Sequence, residues 1–215
     1  MMRSHRLGYV VALVAGLLSV WAYPQLPPRV AMHWGVGGQP DGYSSKLLAV
    51  VMLPLMILAM RALLSVLPRI DPKGENYQKF ASTYWLIFNG VILFMGLLHV
   101  ATLAYGLGAP VRMDRVAASG VGVLLIVVGN YLTRVQPNWF VGIRTPWTLS
   151  SEPVWRRTHR VGGWILAGGG ALMVLTVFLP ASTQLPIFIA TIALVTVIPV
   201  VLSYVWWKRE REAAR

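Results

Sequence analysis

A chain of 215 residues that is 56% apolar and only 12% charged departs from ordinary soluble composition, and its lack of cysteine excludes disulfides, thiolate metal sites and thiol nucleophiles. The net charge of +12 matches a nucleic-acid footprint only until the basic residues are placed along the chain.

A bilayer core of about 30 Å takes about 20 apolar residues per helix. Six windows fit, at 7–23, 47–67, 83–106, 116–133, 161–180 and 187–207. Stretches such as Val121–Val128 and Ile187–Leu202 are apolar nearly all round and do not alternate, which assigns helices and not barrel strands. The expected fold is an all-α integral membrane protein of six transmembrane helices. With an inside amino terminus, the inner segments collect 14 basic residues: Arg3, Arg6, Arg69, Lys73, Lys79, Arg134, Arg144, Arg156, Arg157, Arg160, Lys208, Arg209, Arg211 and Arg215. The outer segments hold four, Arg29, Lys46, Arg112 and Arg115, so the positive-inside rule places both termini in the cytoplasm. Direct nucleic-acid binding is not expected from such a distribution.

In chain order, Arg3, Arg6 and the apolar run from Leu7 resemble a secretory signal, but no small-x-small cleavage site follows in register, and an uncleaved anchor is expected. The outer loop 24–46 is rich in Pro and Gly, with its turn chemistry at Pro40-Asp41-Gly42. His33, Asp41 and Lys46, on a frame shaped by Gly35, Pro40 and Gly42, offer an imidazole, a carboxylate and an amine for a cation or a polar recognition site, with His99 as an extra ligand from below. His33 and Asp41 lack zinc spacing, however, and a loop that packs Trp34 on the membrane interface explains the same letters. No metal and no cofactor is expected on this count.

Inside the second window, Arg61 lies about two turns from the inner end, within reach of headgroups for a snorkelling side chain, with a partner carboxylate or a cavity as the sharper reading. Loop 68–82 carries mixed charge and reads as a solvated connector. Asn89 and Asn130 are candidate interhelical donors worth about 1 kcal/mol each, and His99 sits in the outer third of its helix. The short connections 107–115 and 181–186 predict antiparallel neighbours. Small residues four apart, Ala12/Gly16, Ala118/Gly122 and Gly163/Ala167/Ala171, offer faces for close helix approach.

The inner segment 134–160 is the most specified part. Ser150 or Ser151 can cap a helix with Glu152 and Pro153 in its first turn, which places Trp155, Thr158 and His159 on one face and Arg157 elsewhere. Arg144, between Gly142 and Thr145-Pro146, projects from a constrained turn toward Glu152 or a lipid phosphate. An aromatic belt accounts for the composition but not for the density of turn-fixing residues.

The block NWFVGIRTPWTLSSEPVWRRTHRVGG at 138–163 resembles the characteristic N-x-x-x-G-I-R-T-P-W-T…W-x-x-T-H block of the SdpI family of bacterial immunity and signalling membrane proteins. LPPRVAMHWGVGGQPDGYSSK at 26–46 is similar to the accessory amino-terminal module of full-length members. The resemblance implies a module at 1–67 with two helices and an SdpI-like region at 68–215 with four, in a bacterial plasma membrane. It marks Asn138, Gly142, Arg144, Thr145, Pro146, Trp147, Trp155, Thr158 and His159 as a functional or structural signature. It further implies immunity to a secreted membrane-active peptide toxin and capture of a cytoplasmic transcriptional repressor, as the family's best-known member does both. The competing readings are a membrane enzyme or small transporter for a lipid or envelope precursor, motivated by Arg144 and His159, and a purely structural membrane protein. The scarcity of carboxylates, with Glu152 the sole acid of the inner segment, argues against the enzyme.

Overall fold

The computed structural model describes residues 2–35 and 37–214, without the side chains of 2–5, 181 and 182. Arg3 and Arg215 of the charge count therefore lie outside the described side chains. Long helices dominate: α1 (Met2–Ala22), α2 (Lys46–Ile70), α3 (Ala81–Gly106), α4 (Met113–Leu132), the short α5 (Pro146–Ser150), α6 (Glu152–Thr176) and α7 (Ala181–Ala213). Among the described residues, four helices are long and apolar enough to cross a membrane: α2, α3 with the turn before it, α4 and α7. The apolar part of α1, Arg6–Ala22, is shorter, and the first turns of α6 carry Arg156, Arg157 and Arg160.

The expected loop 24–46 is a two-stranded antiparallel hairpin, β1 (Arg29–Trp34) with β2 (Pro40–Ser45), Arg29 opposite Ser45 and Trp34 opposite Pro40. The chain therefore adds strands to an otherwise helical fold. Pro40-Asp41-Gly42 belongs to β2 and does not make the turn; ahead of it Gly38 supplies a left-handed φ of +72° and its N–H donates to Gly35 O at 2.9 Å. Gly42 instead lets β2 pass His33, where a Cβ would stand 2.9 Å from that of the histidine, beside the irregular register around His33. Ser45 then caps α2 by accepting from Leu48 N.

Glycine sets the helix spacing on the other side of the molecule. Cβ atoms on Gly129 and Gly163 would stand 2.5 and 2.6 Å from each other's carbonyl oxygens, and Gly122 and Gly170 face one another in the same way. α4 and α6 thus meet backbone to backbone, as the small-residue faces at Gly122, Gly163 and Ala167 predict. Gly16, by contrast, faces open space. The main core gathers Tyr77, Phe80, Tyr84, Trp85 and Trp155 at one end of the bundle. A second cluster, with Ala22, Leu26, Val30 and Leu103, seats the hairpin at the opposite end.

Candidate functional site

The signature residues are spent on folding their own segment. Asn138, fully buried, donates from Nδ2 to Gln136 O (2.8 Å) and Val141 O (2.9 Å), while its Oδ1 accepts from Phe140 N (2.9 Å) and Val141 N (2.6 Å). Tyr77 OH reaches the same oxygen at 3.3 Å and donates to Asp71 Oδ2 at 2.9 Å. Asp71 in turn accepts from Trp139 N at 2.9 Å and Lys73 N at 2.7 Å. Loop 68–82 is therefore no plain connector, because Asp71, Tyr77 and Phe80 are buried against the signature. Sequence reasoning missed this trio, whose aromatic spacing was its only signal.

Gly142 follows with φ +111°, and a Cβ there would stand 2.3 Å from His159 Nε2. That close approach lets Ile143 N donate to His159 Nε2 at 3.1 Å. The imidazole nitrogen facing an N–H must be bare, so the proton sits on Nδ1 and is donated to Trp155 O at 2.8 Å. His159 is held neutral, and burial pushes it down to about 4. Its ring stacks on Trp155 at 4.0 Å, and Trp155 Nε1 donates to Val135 O at 2.9 Å. Thr145 caps α5 in a reciprocal pair with Thr148, Pro146 takes the first helical position, and Thr145 Oγ1 lies 3.0 Å from Ser203 Oγ of α7. Trp147 packs on Tyr204 of α7 at 5.1 Å. Ser151 caps α6 and donates to Glu210 at 2.6 Å. The segment thus laces the 74–80 turn, α6 and α7 into one brace.

Arg144 does not meet Glu152. Its Nη1 donates to Trp139 O at 2.6 Å, while Glu152 pairs with Arg156 at 2.5 Å. Thr158 is fully buried with Trp155 and His159, and Arg157 lies away from them over Trp206. Beside the brace a cleft of 490 Å³ opens between Lys73, Lys79, Gln136, Ser151 and Arg156.

At the hairpin end, His33 Nδ1 and Asp41 Oδ1 lie 2.5 Å apart, and Asp41 Oδ2 fits where a Cβ on Gly35 would stand, 3.0 Å away. Lys46 is not part of this group, because its Nζ donates to Tyr23 O at 3.3 Å and lies over the Tyr23 ring. His99 is not either, since it is fully buried against α1 with its Nε2 2.9 Å from Ser19 Oγ and 3.3 Å from Ala15 O. Among the described residues no three His, Asp or Glu gather to hold a metal ion. Behind the hairpin lies a chamber of 510 Å³ between the strands and α2, α3, α4, α6 and α7.

Arg61 does not snorkel. It is buried between the rings of Tyr9 (5.0 Å) and Trp85 (4.6 Å), with Nη1 donating to Ser65 Oγ. Asn89 is buried within α3. Asn130 is exposed and donates to Ile126 O of its own helix at 2.8 Å, so its bond is not interhelical.

Comparison with known proteins places this geometry. The SdpI/YfhL protein family matches residues 134–203, the brace with α6 and most of α7. A domain of unknown function, DUF1648, matches residues 10–58, which contain the hairpin. The immunity protein SdpI of Bacillus subtilis (strain 168) is 27% identical over 208 residues, covering 97% of this chain and 98% of that protein. No solved structure matches significantly. The brace thus lies inside the region similar to the SdpI/YfhL family and the hairpin inside the segment similar to DUF1648, an arrangement that likens the chain to the SdpI immunity protein along nearly its whole length.

Proposed function

We propose that this chain is an SdpI-like immunity protein of a bacterial plasma membrane, resisting a secreted membrane-active peptide at its hairpin face. What carries the reading is the likeness to an immunity protein along 97% of the chain. α1 and α6 complete six spans in this reading, with the brace and both termini in the cytoplasm, supported by the distribution of basic residues. Ligand recognition then falls to the hairpin end, because the polar side chains of Asn138, Thr145, Trp155 and His159 already have partners within the fold. The role is binding and not catalysis. The locked tautomer of His159 supports this, since a ring with both nitrogens engaged has no lone pair or proton to offer a substrate.

Deleting the gene and challenging the strain with a panel of secreted membrane-active peptides tests the reading. Sensitivity rising at least tenfold toward one peptide, and reversed by the restored gene, is the expected outcome. Uniform killing of both strains across the panel would overturn it.

The basic outer face of α6 is the docking place for a cytoplasmic repressor in the same proposal, with exposed Arg156, Arg157 and Arg160 steering an acidic partner. Reversing these three charges is expected to release a bound repressor from the membrane fraction, measured by co-sedimentation. Undiminished recruitment would remove the docking role.

A further inference from the structure

The cleft beside the brace differs in kind from the chamber behind the hairpin, because its walls are predominantly polar. Its volume of 490 Å³ falls within the about 300–1,000 Å³ of ligand sites. Three basic residues line it: Lys73 just before the 74–80 turn, Lys79 near the end of that turn, and Arg156 in α6.

Each of the three is positioned by a contact that leaves donors unused. Lys73 is fixed through its backbone N–H, which donates to Asp71 Oδ1 at 2.7 Å, while its ammonium, on a partly buried residue, has no acceptor among the described residues. Lys79 Nζ donates to Asn76 Oδ1 at 2.8 Å, and Asn76 Nδ2 is tied to Pro137 O at 2.8 Å. Asn76 and Pro137 line the cleft too, so this chain of bonds sets the ammonium at the wall with two of its three protons to spare. Arg156 directs Nε and Nη2 at one oxygen of Glu152, at 3.1 and 2.5 Å, and its Nη1 is left over. Glu75 is the other acid of the lining, so three cations face two carboxylates and the cleft is net positive. Neither lysine has a carboxylate within ion-pair distance among the described residues.

An ammonium drawn partly out of water without a counter-charge is costly, and it selects an anionic occupant. A carboxylate holds its two oxygens in one plane. A phosphate spreads its acceptors around a tetrahedron and can meet donors arriving from the turn and from α6 together. The space is larger than a bare phosphate ion needs, and Gln136, Ser150 and Ser151 line it with neutral polar groups that suit hydroxyls better than an acyl chain.

We propose that this cleft binds the phosphate ester of a small polyol, with the phosphate on Lys73, Lys79 and Arg156 and the hydroxyls on the neutral polar wall. A soluble glycerol phosphate and the headgroup of phosphatidylglycerol share this chemistry. The inference stands apart from the immunity reading, which concerns the hairpin end.

The test titrates the full-length protein, in maltoside detergent and a phosphate-free buffer, with glycerol 3-phosphate by isothermal calorimetry. Saturable binding is expected, weakened about five- to tenfold in Lys73→Gln and likewise in Lys79→Gln, each of which loses a charged donor and keeps a polar side chain. Glu75→Gln is expected to tighten it about two- to threefold by removing a like charge from the wall. Arg209→Gln, on α7 and outside the cleft lining, is expected to change nothing, which separates a site from the general basic charge of this end. If either lysine variant melts below wild type, Arg156→Gln repeats the loss of charge from α6. Phosphatidylglycerol in mixed micelles is the lipid arm: competition with glycerol 3-phosphate through the same lysines assigns the headgroup as occupant, and binding without competition assigns a soluble ester. Glycerate, the carboxylate counterpart, is expected to bind more weakly, and equal affinity would make the cleft a general anion trap and sink the proposal. Unaltered affinity in stable lysine variants, or no saturable binding of either phosphate ester, also overturns it. A peptide of six glutamates that binds through these lysines where glycerol 3-phosphate does not would make the cleft a dock for an acidic protein segment, and the proposal fails on that outcome too.

Discussion

Asn138→Asp is expected to lower the melting temperature more than any other single-atom change at the signature end, read by the fluorescence of the nine tryptophans during thermal unfolding in detergent. The substitution replaces one NH2 by an oxygen in a site without solvent access. Two carbonyls, Gln136 O and Val141 O, then face an acceptor where they had donors at 2.8 and 2.9 Å. A protonated acid can satisfy one of them, and an ionised one neither. Ionisation also sets a second negative charge next to Asp71, linked to it through Tyr77 OH. Each buried group left without a partner costs about 1–3 kcal/mol, and an unpaired buried charge costs more. A loss of about 4 kcal/mol follows, a large part of the about 5–15 kcal/mol that holds typical domains folded. Asn76→Ala is the control. It removes the bond to Pro137 O at the same end, together with an exposed one from Lys79 Nζ at 2.8 Å, and should cost about 1 kcal/mol. Wild-type melting of Asn138→Asp would show that the brace does not depend on this hub.

Long apolar helices were legible because their signal is local: twenty residues of composition suffice. The faces of close approach were legible too, since Gly122, Gly163 and Ala167 recur at helical spacing. The hairpin was not, for a reason that lies in particular residues. Pro40 and Gly42 are poor strand formers and strong turn formers, so the letters favour a turn where β2 begins. What overrides them is tertiary, the need for β2 to pass close over His33 and for Gly38 to lie against Asp114. The brace shows the same division. Its residues were recognisable as a block, but whether they act on a ligand or on one another depends on Asp71, Tyr77 and Ser203, about 60 residues away on either side. Lys46 and Arg144 misled for a related reason: a long cationic side chain finds the nearest carbonyl or ring, and here those were Tyr23 and Trp139.

The neutral imidazole of His159 makes the brace acid-sensitive. Unfolded, a histidine takes up its proton near about pH 6.5, whereas in the folded chain burial delays uptake until about 4. Between those values the unfolded state binds more protons, so stability is full above about pH 6.5, falls as the pH drops through the window and levels off below about 4. The whole span amounts to about 3 kcal/mol at about 1.4 kcal/mol per unit, of which about 2 kcal/mol is lost by pH 5. Thermal unfolding of the purified protein at pH 7 and pH 5 should show this loss. His159→Gln separates the group from the other titrating residues, because its Oε1 can still accept from Ile143 N–H but cannot take a proton. The variant should therefore lose most of the pH dependence while keeping much of the stability. Gly142→Ala makes the converse case. Its Cβ would stand 2.3 Å from Nε2 at φ +111°, so the ring must move away and the bond from Ile143 is lost. Strain of about 1–3 kcal/mol at the backbone then lowers stability at every pH, and a ring freed toward water titrates near its ordinary value. If wild type and His159→Gln lose equal stability between pH 7 and pH 5, the imidazole is not the group that locks the brace.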